Sequence, residues 1–397
     1  MQIKDIQKEK RLSGKMKLAL LIFIFLATAP LYMSSFRVTM LGKYMCFALI
    51  ALGIDMIWGY TGILSLGHGV YFGLGAYCMA MHLKLEASDG ALPDFMAWSA
   101  VEKLPAFWAP FQSSAFTLFS IVLIPVIFAA VIGSLTFLNR IKGVFFCILS
   151  QALAFALATF MIGRQEYFGG SNGLTNFTTL FGHAVNDPVT KTVLFYLTLI
   201  SLIAAFALCM KIVNSRAGRV LVATRDAENR LRFTGYSPAV YKVFVYCLSA
   251  ALAGIAGALY VPQVGIISPT DINIAPSTEM VIWVAVGGKS TLVGAILGAL
   301  VVNFAKSLVS EQFPAVWQFF IGALFIAVIL FFPAGLISIK DLPAKIRSFI
   351  KKRADTGEAE DKKQAGTNAK AKSDNGLFSN KKPVTVTSVK VSKGDGQ

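Results

Sequence analysis

Long apolar runs follow one another along the chain, separated by short polar or glycine-rich breaks. The first run, residues 18–36, approaches the roughly 20 residues that a helix needs to cross a bilayer. Lys15 and Lys17 precede it, and Arg37 and Lys43 follow without a small-x-small cleavage site. The run also exceeds the ~7–15 residues of a signal-peptide core, so it reads as an uncleaved span. Residues 44–84 are about twice one span in length. They read as two spans broken near Gly59-Tyr60-Thr61-Gly62 and Ser65-Leu66-Gly67-His68-Gly69. Further spans are expected at 114–138, 144–163, 193–210, 243–262 and 317–339.

Residues 280–305 are the ambiguous stretch, and charge resolves them. Lys and Arg outnumber acids by 4 in residues 1–17, by 5 in 211–242 and by 7 in 340–397, which accounts for the whole net charge of +16. One span over 280–305 would separate the basic tail from the basic loop. Two short spans turning at Gly287-Gly288-Lys289 keep all three basic segments on one side, as the positive-inside bias requires. The expected fold is an all-α polytopic membrane protein of about ten spans, some broken or re-entrant, with both termini cytoplasmic. Loops 85–112 and 164–192 then lie outside. Residues 1–17 form a cytoplasmic start, 18–340 the membrane domain, and 341–397 a basic tail too poor in apolar residues to order itself for most of its length.

Composition agrees: 55% hydrophobic and only 15% charged residues, with mean hydropathy +0.64, exclude a soluble domain. The clustered charge, with no recognised nucleic-acid motif, gives no reason to expect nucleic-acid binding. The five cysteines lie in apolar runs without C-x-x-C spacing, and the three histidines form no ligand cluster, so no metal is expected. Gly288-Lys289-Ser290-Thr291 resembles the end of a phosphate loop, but Trp283 occupies the position of its first glycine. No Ser/His/Asp arrangement suggests an enzyme.

Three features are candidates for function. His68 lies in a glycine-rich break, where an intramembrane ionisable group is either functional or a packing residue satisfied by a nearby carbonyl. Asp55-Met56-Ile57-Trp58 before one break is echoed by Glu279-Met280-Val281-Ile282-Trp283 before another. Paired broken segments point to a transport site, and small residues at such breaks also serve helix packing. Residues 225–233 have the composition of a short amphipathic helix, stopped by Gly235 and followed by Pro238 at the start of the next element. A charged helix displayed on the cytoplasmic face suits a docking partner; the plainer reading is a solvated basic loop.

The run Gly59 to Gly69, then Phe72-Gly73-Leu74-Gly75-Ala76-Tyr77, resembles the branched-chain amino-acid ABC permease family. So do Gly169-Gly170-Ser171-Asn172-Gly173-Leu174, Arg225 to Gly235 with Tyr241-Lys242, the small-residue run Ala250 to Tyr260, Gly287-Gly288 with Gly294, and Phe331-Phe332-Pro333-Ala334-Gly335-Leu336. Leu92-Pro93-Asp94-Phe95-Met96, Tyr260 to Ile267 and Glu279 to Gly288 look like the urea-transport branch.

The resemblance covers about residues 18–340. It implies a permease of the bacterial inner membrane, working by alternating access. It also implies a second permease subunit in a heterodimer, two ATP-binding cassette subunits that carry ATP and Mg, and an external solute-binding protein. The chain itself binds no cofactor in this reading. Arg225, Glu228, Arg230, Leu231, Phe233 and Gly235 would couple to the ATPase. Gly62, Ser65, Gly67, His68, Gly69, Gly170, Ser171 and Asn172 are the path candidates, because a small neutral solute such as urea needs amide-complementary donors and acceptors. Branched-chain amino acids are the rival solute, whose two charges would call for helix termini or charged groups. An ion-coupled transporter or passive channel is the rival from another class.

Overall fold

The computed structural model describes residues 2–314 except Gly90, Ala100 and Lys142, together with Phe319, Gly322, Ala323, Ile326 and Gly335, with side chains from Met16 onward. All belong to the unit Met1–Ser338. The expected last span and the basic tail fall outside the described residues, apart from those five.

Among the described residues twelve α-helices follow in order: α1 (Gln2–Thr28), α2 (Ser35–Thr61), α3 (Gly69–Ala87), the short α4 (Asp94–Trp98), α5 (Ser114–Phe137), α6 (Val144–Gly163), the short α7 (Gln165–Phe168), α8 (Pro188–Asn214), α9 (Arg216–Phe233), α10 (Pro238–Val264), α11 (Ile274–Gly287) and α12 (Leu292–Gln312). Six of them (α2, α5, α6, α8, α10 and α12) are long and apolar enough to cross a membrane, and the shorter apolar helices Met16–Leu31 and Ile274–Gly287 accompany them. The protein is an all-α polytopic membrane protein. Four two-residue strands decorate it: β1 (Leu174–Thr175) pairs antiparallel with β4 (Ile266–Ile267), and β2 (Thr179–Leu180) with β3 (His183–Ala184).

The break inside 44–84 falls where the glycines lie. Gly62 ends α2 with φ +75°, and its N–H bonds back to the Trp58 carbonyl, a left-handed cap that a Cβ would strain. The turn expected within 280–305 is present, between Gly287 and Leu292, but only its first helix is short: α12 is long enough to cross a membrane. The first run departs from expectation. Its helix ends at Thr28, a 3-10 turn carrying Pro30 follows, and Phe36 already belongs to α2. Hydropathy could not see this boundary, because both sides of it are apolar. Arg37 and Lys43 therefore lie inside a helix and not after a span. Residues 2–17 share one helix with the start of the first apolar run, since α1 runs unbroken from Gln2 to Thr28.

α2 and α10 form the centre of the bundle, with 78% and 67% of their most apolar windows buried. α5 and α6, at 28% each, present outward such residues as Phe119 and Phe145, a lipid-facing surface. Small residues bring α3 and α10 into backbone contact. A Cβ on Gly75 would lie 2.2 Å from the Gly254 carbonyl oxygen, and one on Gly257 2.1 Å from that of Phe72. At the end opposite α9, Lys84 bonds the Asp94 carboxylate at 2.9 Å and the Thr175 carbonyl at 2.8 Å. Nearby, Glu86 accepts the N–H groups of Phe181 and Gly182 at 3.0 and 2.6 Å. These contacts tie the long loops to α3.

Candidate translocation and coupling site

The basic segment after α8 folds as one longer helix, α9, rather than the short helix expected over 225–233. Ser215 caps it through Gly218 N–H, and Ala227 (φ −153°, ψ 55°) kinks it. Before the kink, Arg225 reaches into the bundle. Its Nη1 donates to the Gly59 carbonyl at 2.7 Å and to Ser290 Oγ at 3.0 Å, and its Nε donates to Asp226 at 2.8 Å. The Arg225 stem packs on Gly62, where a Cβ would come within 2.9 Å of Arg225 Cγ. The Asp226 carboxyl, beside that guanidinium, is held below the usual carboxylate range.

Ser290 lies in the α11–α12 turn with φ +64°, a left-handed conformation costly for a residue with a Cβ. Its N–H donates to Asp55 Oδ1 at 2.7 Å, its Oγ donates to the Gly59 carbonyl at 2.7 Å, and its carbonyl accepts from Tyr60 at 3.3 Å. The two sequence echoes therefore meet in space: the break after Asp55–Trp58 holds the turn after Glu279–Trp283, and Arg225 joins both to α9. Gly335 also abuts this turn, since its Cβ would lie 2.2 Å from Gly288 Cα.

Beyond the kink the coupling candidates divide. Glu228 is engaged within the chain, bonding Arg232 at 2.8 Å and the buried Lys242 at 3.0 Å. Leu231 is half-buried, while Arg230 is exposed and Phe233 is 92% exposed at the helix end. Gly235 has φ +85° in open space, which lets the chain turn into α10.

The path candidates do not form one site. His68 is fully buried, with Nδ1 at 3.0 Å from Ser65 Oγ and Nε2 at 2.7 Å from Ser249 Oγ. Two serines thus satisfy it rather than a carbonyl. Gly67 packs on α6, where a Cβ would lie 2.1 Å from the Ser150 carbonyl oxygen. Gly69 N–H donates to Ser277 Oγ at 3.1 Å. Gly170 is buried in a 3-10 turn, beside exposed Ser171 and Asn172. That turn continues into Gly173, pressed against Ile267, and the same segment reaches Gly69 through Ile272. The stretch 266–273 therefore packs against both glycine motifs.

A different feature is open. A cavity of about 530 Å³ lies among α2, α3, α10, α11 and α12, and none of the eight path candidates lines it. Its wall carries Lys43, Asp271, Glu279, Lys306 and Glu311 among aromatic side chains. Lys306 bonds both oxygens of Glu279 at 2.8–2.9 Å. Tyr44 and Ser307 share a hydrogen bond on the same wall. Sequence reasoning missed this group. The available signal was ionisable residues within or beside apolar runs, and Lys43 had been assigned to the chain between two spans.

A bundle of membrane-crossing helices, whose breaks after α2 and α11 meet at Ser290 and whose cavity is lined by charged groups, defines a transport protein. The model for the branched-chain amino acid transport system permease component matches residues 36–329, and the chain belongs to that family. It is similar to the high-affinity branched-chain amino acid transport permease LivM of Salmonella typhimurium, with 24% identity over 84% of this chain and 78% of the relative. It is also similar to BraD of Pseudomonas aeruginosa, with 26% identity over 73% of this chain and 91% of the relative. A shorter match, 27% identical over 34% of this chain and 41% of the relative, is to the autoinducer 2 import permease LsrC of Yersinia pseudotuberculosis. No solved structure matches.

Proposed function

We propose that this chain is one permease subunit of an ATP-driven importer in the bacterial inner membrane, and that the charged cavity is its share of the solute path. The observation that carries the reading is the cavity itself. Charged groups of both signs line it within an apolar bundle, where such groups are retained for function. The α9 face is cytoplasmic in this reading. The exposed Arg230 and Phe233 dock on an ATP-binding cassette subunit, which holds ATP and Mg. Arg225 passes its movement to both helix breaks at once. A second permease subunit completes the path, and an external binding protein delivers solute at the opposite face.

The solute proposed first is a branched-chain amino acid. The family description and the names of LivM and BraD support it, and opposite charges on one wall suit a zwitterion. A second reading, urea or a short amide, rests on one specific observation. Tyr260, Glu279, Met280 and Trp283 belong to the segments that look like the urea-transport branch, and all four line the cavity. The experiment is uptake of labelled leucine and labelled urea by proteoliposomes holding both permeases, the ATPases and the binding protein. ATP-dependent accumulation of either identifies the solute. Accumulation of neither, with solute-stimulated ATP hydrolysis absent, refutes the proposal for both.

A further inference from the structure

Two residues that line the cavity, Lys43 and Trp283, carry hydrogen-bond donors with no acceptor among the described residues. Lys43 lies inside α2, yet its ammonium reaches no carboxylate among the described residues. It lies over the rings of Phe47 at 5.8 Å and Tyr260 at 5.7 Å instead. Trp283 on α11 is 3% exposed, and its indole N–H is buried without an acceptor among the described residues. The Phe47 ring joins the two, with its centroid 4.7 Å from that of Trp283. A buried donor left unpaired is costly, and a half-buried ammonium held over aromatic faces keeps its donors free for a ligand. Asp271 and Glu279 line the same cavity and carry acceptors.

The geometry points to an oxygen-binding subsite: Lys43 and the Trp283 indole N–H receive a carbonyl or carboxylate oxygen of the solute, whose nitrogen-bound hydrogens face the acidic side of the cavity. This rests on the cavity being the solute path. The chemistry is an oxygen on a carbon that also bears, or adjoins, an amino group. An amino acid and urea both present it.

The test uses the whole complex in proteoliposomes, with solute uptake and ATP hydrolysis measured together. Trp283→Phe keeps a ring against Phe47 and removes the donor; Lys43→Met keeps the stem and removes the charge. Each is expected to lower uptake per ATP by about tenfold, the effect of losing one charge-assisted or buried hydrogen bond, while the ATPases still co-purify. Lys43→Arg restores part of the uptake lost in Lys43→Met. If leucine is carried, Lys43→Met is the more damaging change, because a carboxylate needs the cation. If urea is carried, Trp283→Phe is at least as damaging. Should either variant fail to assemble, slower maleimide labelling of Ser310→Cys by solute, lost in Lys43→Arg/Trp283→Phe, supports the subsite, and no protection in the parent overturns it. Uptake per ATP unchanged in both single variants overturns the subsite and leaves the permease reading standing. A wild-type complex that carries neither solute overturns both.

Discussion

Arg225→Met is the sharpest perturbation of the proposed coupling route. It retains the stem that packs on Gly62 and removes the donors to Gly59 and Ser290. Hydrogen bonds from a charged donor contribute about 1.5–3 kcal/mol each in mutational series. Two discounts apply. The Arg225 side chain is 33% exposed, so water partly replaces what is lost. The Gly59 carbonyl also keeps Ser290 Oγ at 2.7 Å, so no acceptor is orphaned. The net loss is then about 1–2 kcal/mol, or roughly a 5- to 30-fold fall in the fraction of complexes with α9 locked to the two breaks. Measured in proteoliposomes with all partner subunits, ATP hydrolysis is expected to stay within about twofold of wild type while uptake per ATP falls about tenfold. Arg225→Lys should be intermediate, because an ammonium lacks the fork that spans two acceptors. Wild-type uptake per ATP in both Arg225→Met and Ser290→Ala would refute the route.

Glu228→Lys is expected to act through folding rather than a lost docking contact. It places a second cation against Lys242, which is 8% exposed, and breaking a largely buried pair costs about 3–5 kcal/mol; the melting temperature of the purified complex should fall, and fall less for Glu228→Gln. Gly75→Ala forces a Cβ into the Gly254 backbone and should destabilise the complex by about 1–3 kcal/mol or more in the same melt, whereas Gly163→Ala, with nothing within 4 Å, should be neutral. With native cysteines replaced, an impermeant thiol reagent added outside should label Ala184→Cys and not Asn229→Cys; the reverse pattern would invert the proposed orientation.

Much of the helix order was legible from apolar run length, because a bilayer sets that length. The breaks at 62–68 and 288–291 were legible because glycine and charge bias mark them. The end of α1 was not, since Pro30 interrupts a run that stays apolar on both sides. The coupling segment was found by composition, but its partners were not. That Glu228 faces Lys242 and Arg225 faces Gly59 depends on contacts far apart in sequence. The path candidates were chosen for residue type. His68 shows the limit of that choice, since its polarity is spent on Ser65 and Ser249. The cavity went unseen because its wall joins one face each of α2, α11 and α12 with Phe72, Tyr260 and Asp271, and no local motif brings Lys43, Glu279 and Lys306 together.

The most direct test of the solute path is a blocking experiment at Ser310, on the cavity wall, against Val189, exposed in the first turn of α8 and outside that cavity. Ser310→Cys and Val189→Cys, in a complex otherwise free of reactive cysteines, are labelled to completion with a bulky maleimide before ATP-driven uptake is measured. The account predicts that labelling at Ser310→Cys abolishes uptake, that solute slows that labelling, and that labelling at Val189→Cys leaves uptake intact. Full uptake after complete labelling at Ser310→Cys would contradict it.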